Sequence, residues 1–255
     1  MTCTVPTLHR DAPRHWAGGV DDDPRTPRTS GDAPARRRLL LGYVGATLEA
    51  VDSTPAGRTL VIGCGQGTDI EMALDRFQAN EVVAIDIDPR QVERAQRRLR
   101  QRPRVAIELG DVLALHNADH APFDTVFDLG AVHLVPDWQR AYGQIAGVLR
   151  PGGKFRFETV VGRRFRAAMR ISTTGFALPA TGYTTSAVFT TLESHGMNCP
   201  RSAIRRPRGS SYSQASLATS SRSPRRADPL PEAPISALPR RTWPLILGAC
   251  SSAVR

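Results

Sequence analysis

The 255-residue chain is nearly devoid of lysine: among its 34 basic residues Lys154 alone is lysine, and the rest are arginine. That skew reads as codon bias toward arginine more than as selection for phosphate contacts. Cysteine is scarce as well. Cys3, Cys64, Cys199 and Cys250 form no C-x-x-C pair, show no metal-ligand spacing with histidine, and are too sparse for the disulfide framework of a small secreted domain. A reducing, cytoplasmic setting with no bound metal is the expectation. Long apolar runs are missing too. The N-terminal MTCTVPTLHRDAPRHW lacks the apolar stretch of a signal peptide, and the run around Trp243 to Cys250 is too short to span a bilayer. With 40% apolar residues the chain can bury one full-sized core, which predicts a single soluble domain with tails.

The net charge of +10 is not spread over that domain, because residues 161 to 255 carry fourteen basic and three acidic side chains. A nucleic-acid partner, which would want a basic patch on the folded part, is therefore disfavoured. Residues 1 to 35 are rich in Pro, Asp, Arg, Thr and Gly without apolar period and are expected to be disordered. From Arg36 the pattern changes, and Leu39, Leu40, Tyr43, Val44, Thr47 and Leu48 recur at helical steps until Pro55 and Gly57.

Alternation of strand and helix follows. Thr59 to Ile62 is a short β-branched run stopped by glycines, as expected of a strand buried on both faces. Thr68 or Asp69 is placed to cap a helix carrying Ile70, Ala73, Leu74 and Phe77. EVVAIDID is a second strand, and Asp88-Pro89 opens a helix with Val92, Ala95 and Leu99 on one face. Val105 to Leu109 and Thr125 to Phe127 are the third and fourth strands. Asp137 starts a helix bearing Trp138, Ala141, Tyr142, Ile145, Val148 and Leu149, and KFRFETV is the fifth strand. The predicted fold class is α/β: a doubly wound, Rossmann-like, mostly parallel sheet with helices on both faces, which binds ligands at the carboxyl ends of its strands.

Gly63, Gly65 and Gly67 occupy the turn after the first strand, where a side chain would keep a ligand from the backbone. Asp86 ends the second strand 23 residues after Gly63, close to the spacing of about 20 at which a carboxylate meets an adenosine ribose in dinucleotide folds. Thr68 stands where a nicotinamide fingerprint has its third glycine, which argues against a diphosphate ligand.

These motifs resemble the class I S-adenosylmethionine-dependent methyltransferases, over about Leu39 to Val161. VIGCGQGTD resembles their first motif, VVAIDIDP the ribose-binding strand end, LGDVLAL the adenine segment, and VFDLGAVHLVPDW with IAGVLRPGGKFRFET the fourth strand, its loop and the turn into the fifth. The resemblance implies S-adenosylmethionine as cofactor. It sets the backbone at Gly63 and Gly65 against the methionyl part, Asp86 on the ribose, Asp111 and Val112 around the adenine, and Asp128 beside the methionine. Cys64, Gly67, Ile87 and Leu129 complete the cofactor-binding set. Where the family usually has Asp or Glu to hold the methionine amino group, this chain has Val61; Asp128 or a backbone carbonyl is the expected substitute.

The implied reaction is methyl transfer to a small-molecule acceptor: a quinone, lipid or other metabolite. His133, in the loop after the fourth strand, is the first candidate for a general base, because imidazole titrates near neutral pH. Glu158 at the end of the fifth strand is the second; alternation can equally point it to solvent. The motifs of base-methylating enzymes on DNA and RNA are absent. TGYTTSAVFTTLESHGMN resembles the family's late helix, with Val188, Phe189, Leu192 and Met197 apolar, so the domain is assigned to 36–198. The two edge strands that should follow are not recognisable. Residues 201 to 255 hold eleven Ser, ten Arg and seven Pro, which reads as a low-complexity basic tail from 199, either natural or the product of a reading-frame change near Cys199. Two alternatives stay open: a cofactor-binding protein with little or no activity, and an RNA-contacting methyltransferase that uses the tail.

Overall fold

A computed structural model describes residues 42, 44–117, 122–160, 182–200, 204–205 and 245–253. Five helices are described: α1 (Gly45–Val51), α2 (Thr68–Asp75), α3 (Pro89–Leu99), α4 (Trp138–Val148) and α5 (Thr185–Ser194). The strands are β1 (Gly57–Ile62), β2 (Ala79–Asp86), β3 (Val105–Leu109), β4 (Phe123–Leu129), β5 (Leu149–Val160), β6 (Met197–Asn198), β7 (Ile204–Arg205) and β8 (Leu245–Ser252). They form one sheet in the order β3-β2-β1-β4-β5-β8-β6, with β7 also paired to β8. The first five strands are parallel, and β8 runs antiparallel to β5, β6 and β7.

The sheet is apolar on both faces because helices cover both. On one side Val61, Val82, Ala84 and Phe127 pack under α1, α2 and α3 through Leu48, Ile70, Val92 and Leu99. On the other, Ile62, Ile85, Phe155 and Phe157 pack under α4 and α5 through Trp138, Tyr142, Ile145 and Leu192. Fully burying a side chain such as Leu or Phe contributes about 1.5–3 kcal/mol, so these two layers dominate the favourable side of folding. Arg156 of β5 is the exception within the first layer. Its guanidinium has no exposed surface, lies 4.8 Å from the Phe77 ring centre, donates to the Thr54 carbonyl at 2.7 Å and pairs with Asp52 at 3.2 Å. A charge removed from water survives there because it is paired and hydrogen-bonded.

Three departures from the sequence reading have local causes. The two edge strands are present: β8 pairs with β5 from Lys154↔Ser251 to Val160↔Leu245, and a Cβ on Gly248 would meet the Phe157 ring at 2.8 Å. An apolar run followed by small residues makes up β8, so no alternating apolar pattern announces it. The cysteines, read as unpaired, are not all so: Met197↔Ser252 and Asn198↔Ser251 pair, the same antiparallel register sets Cys199 against Cys250, and a disulfide joins them. Neither Thr68 nor Asp69 caps α2, since Gly67, at φ 89°, takes the N-cap position. The cap at Asp88 is as expected, its side chain accepting from Arg90 N at 2.9 Å. The expected disordered segment 1–35 and most of the tail from 199 lie outside the described residues.

Candidate cofactor and active site

Strand order reverses between β1 and β4: β2 and β3 lie to one side of β1, and β4 and β5 to the other. In open α/β sheets the crevice beyond the carboxyl ends at that point is where ligands bind. Four chain segments converge there: the turn 63–67, the end of β2 at Asp86, the residues after β3 from Gly110, and the loop after β4 from Gly130.

The glycines of the turn do different things. Gly63, Gly65 and Gly67 have φ values of 63°, 51° and 89°, a region that only glycine enters freely. A Cβ on Gly63 would lie 2.3 Å from the Ala131 Cβ, and one on Gly67 would lie 2.7 Å from Leu99 Cδ1. These two close-pack loop on loop and helix on helix. At Gly65, by contrast, an added Cβ meets nothing within 4 Å. The side of Gly65 away from its neighbours is therefore open, leaving room against its backbone. Cys64 between them is buried, and burial raises its thiol pKa strongly, so it stays a neutral packing group.

Asp86 is joined to this turn directly. Its Oδ2 accepts from Gly65 N at 2.8 Å and its Oδ1 from Asp88 N at 2.9 Å. The carboxylate thus keeps some acceptor capacity beyond the backbone amides of Gly65, Asp88 and Ile87. Burial pushes the Asp86 pKa up, against the backbone donors that pull it down. Ile87, half-buried, follows it. Across the crevice Asp111 accepts from Leu113 N at 2.8 Å through Oδ1, starting the 3-10 segment Val112–Asn117, and Val112 is buried beside it. Gly65, Asp86 and Asp111 thus stand at the carboxyl ends of β1, β2 and β3 beside the crevice, whereas Cys64 and Gly67 of the expected set are packing groups.

The β4 end differs from the expectation. Asp128 is fully buried, and its Oδ1 accepts from Ala131 N at 2.8 Å and Val132 N at 3.1 Å. Burial raises its pKa to about 6 despite those donors. Strand register puts it between Ile62 of β1 and Phe157 of β5. Leu129 is buried on the opposite face with Phe127 and Val61. Val61 itself has no exposed surface and packs among Cys64, Ala84 and Phe127, so position 61 is apolar where the resemblance expects an acid.

His133 lies in the short 3-10 segment Val132–Leu134, 7% exposed, with its ring centre 6.3 Å from that of Tyr183. Tyr183 was not flagged by sequence. It packs edge-on to Trp138 at 5.0 Å, and its hydroxyl shares a hydrogen bond of 2.6 Å with that of Tyr142. Its placement just before α5, next to a glycine, was the available signal. Glu158 is 5% exposed, in β5 between Leu129 of β4 and Leu247 of β8. The solvent-facing alternative for Glu158 is thereby corrected: β8 covers what would have been a sheet edge.

A family model described as "Methyltransferase domain" matches residues 60–153, which span the turn, the Asp86 strand end and the β4 loop. Among curated relatives, 27-O-demethylrifamycin SV methyltransferase of Amycolatopsis mediterranei (strain S699) is 41% identical over 102 residues, 38% of this chain and 36% of that protein. Trans-aconitate 2-methyltransferase of Variovorax paradoxus (strain S110) is 31% identical over 106 residues, 42% of this chain and 39% of the relative. The chain thus spans little more than a third of the length of these relatives. The crystal structure of N-methyltransferase NodS from Bradyrhizobium japonicum WM9 in complex with S-adenosyl-l-homocysteine superposes with a TM-score of 0.60 at 16% identity, over 95% of this chain and 99% of that one, a likeness of fold. Motif, crevice and fold agree, and residues 60–153 are a methyltransferase domain of the class I S-adenosylmethionine-dependent family.

Proposed function

We propose that the chain transfers a methyl group from S-adenosylmethionine to a small-molecule acceptor. The observation that carries this reading is the Gly65–Asp86 pair: a backbone with open room against it, hydrogen-bonded to a carboxylate that retains some acceptor capacity. Asp86 with Ile87 would hold the ribose, Asp111 and Val112 the adenine, and the backbone from Gly63 to Gly65 the methionyl end. The bound cofactor supplies a methyl already activated by a positive sulfur. The protein's own task is then to orient the acceptor and exclude water, effects that reach about 7–11 kcal/mol in good cases. His133 is the residue proposed to take a proton from a hydroxyl acceptor; its place in the β4 loop supports that role, and Glu158 is the lesser candidate. The folded unit we assign is 36–198 completed by β8.

The small-molecule class is supported by relatives whose names specify a rifamycin derivative and trans-aconitate. Among the described residues no helix is long and apolar enough to cross a membrane. Val61 favours a second reading, a cofactor-binding protein with little turnover, because no side-chain acid stands in that row of the sheet. Calorimetric titration with S-adenosylhomocysteine tests the first step. Micromolar binding, weakened at least tenfold in Asp86→Ala and absent for NADH, is expected; a folded chain that binds NADH instead refutes the assignment. Binding without turnover on a broad panel of hydroxyl, amine and carboxylate acceptors would select the second reading.

A further inference from the structure

Asp128 places a carboxylate where no ligand reaches it. Its side chain has no exposed surface and lies in register between Ile62 and Phe157, on the face that packs under α4. Backbone donors nevertheless converge on this carboxylate, Ala131 and Val132 on its Oδ1 and the Gly130 amide beside them, while Oδ2 is buried with no hydrogen-bond partner among the described residues. Hydrogen bonds to an ionised acceptor are roughly twice as strong as neutral ones, and stronger still away from water. A buried oxygen left unsatisfied costs about 1–3 kcal/mol or more, so this arrangement is not a cheap way to end a strand.

These amides belong to the turn that leaves β4 through Gly130, at φ 103°, and enters the 3-10 segment Val132–Leu134. Ala131 in turn rests on Gly63, so closely that no side chain fits between them. Gly63 begins the turn whose Gly65 amide is bound to Asp86. A continuous contact path therefore runs from Asp128 through Ala131 to Gly63 and on to the cofactor crevice. We infer that Asp128 is a positioning residue that never touches S-adenosylmethionine: it fixes Ala131 and Val132, and through Ala131 it holds the glycine turn in its receiving shape. This inference rests on the cofactor reading above and replaces direct contact between Asp128 and the methionine amino group.

The role separates by substitution. In Asp128→Asn the amide oxygen can still accept from Ala131 and Val132, so S-adenosylhomocysteine affinity should stay within about threefold of wild type. In Asp128→Ala both anchors are lost. Affinity should fall at least tenfold, and hydrogen exchange at the Ala131 and Val132 amides should accelerate by a comparable factor. If Asp128→Ala and Asp128→Asn weaken binding equally, the charge itself contacts the ligand and the inference fails; unchanged affinity in Asp128→Ala also overturns it. Should Asp128→Ala not fold, Ala131→Gly removes the methyl that rests on Gly63 and leaves Asp128 intact. A threefold or larger weakening there supports the path, and unchanged affinity refutes it. A folded wild-type chain that does not bind S-adenosylhomocysteine refutes the cofactor reading instead, a result no Asp128 variant can imitate.

Discussion

The pH dependence of stability should carry the signature of Asp128. Burial lifts its pKa from an ordinary 3.8 to about 6, against the pull of the Ala131, Val132 and Gly130 amides. The folded state therefore holds this proton more tightly than the unfolded chain. Below pH 4 both states are protonated and the favourable contribution is complete; as pH rises toward and through 6 the unfolded chain releases the proton first, and that stability is lost. A pKa difference of about two corresponds to about 3 kcal/mol. Asn at this position does not titrate, so unfolding free energies of Asp128→Asn and wild type, measured by urea titration at pH 4.5, 6 and 8, should diverge. The variant gains on the wild type by about 2–3 kcal/mol across that range, whatever the offset at the acid end. The groups that face Asp128 are few: Ile62 and Phe157 along the sheet are apolar, Tyr142 from α4 has its phenol pushed far up by burial and by Tyr183, and His133 stands in the same loop. A carboxyl carbon titrating near pH 6 in NMR would identify the group directly. Parallel pH profiles for the two proteins would refute the reasoning, because they would mean that the carboxylate is as well solvated folded as unfolded.

Two further substitutions probe the glycine turn and the far edge. Gly65→Ala should cost the fold only about 1–2 kcal/mol for its left-handed backbone, since the added Cβ meets nothing, yet abolish S-adenosylhomocysteine binding in calorimetry; Gly63→Ala, driven into Ala131, should lower the melting temperature more than Gly65→Ala does. If both variants lose only stability, the open space at Gly65 is not the cofactor's. Reducing the Cys199–Cys250 disulfide, which closes a loop with a sequence separation of 51, should cost about 4 kcal/mol by chain entropy and lower the melting temperature by roughly 10 °C; Cys199→Ser, Cys250→Ser and the double variant should melt alike, and identical melting with and without dithiothreitol would refute the clamp.

Much of the fold is legible because buried parallel strands have a plain signature. VIGCG, VVAIDID and VAIEL are apolar runs cut off by glycine or aspartate, and all three became strands in the order expected. The position of Asp86 at the end of β2 was legible for the same reason, and the structure joins it to the glycine turn through Gly65 N. β8 was not legible. Its apolar Leu245–Leu247 run is short and gives way to Gly248, Ala249, Ser251 and Ser252 with no alternating period, so the strand is specified by its pairing with β5. The burial of Asp128 was not legible, for a subtler cause. Parity along β4 sets Phe127 and Leu129 toward α2 and leaves Val126 and Asp128 toward α4, so a residue at the right height on the strand is buried under α4.

That face assignment bears on the acid missing at position 61. Val61, Phe127 and Arg156 form one row across β1, β4 and β5 on the side of α1 and α2. The row holds a buried cation, whose guanidinium lies 5.6 Å from the Phe127 ring centre and is paired only at its far end, with Asp52. An acid at position 61 would be buried with Phe127 between it and that cation, at a desolvation cost of several kcal/mol. Valine fits this packing, and on the proposed reading recognition of a methionine amino group falls to the loop backbone. Recognition by backbone alone depends on the loops keeping their shape, which is the requirement that a buried carboxylate bonded to Ala131 and Val132 meets.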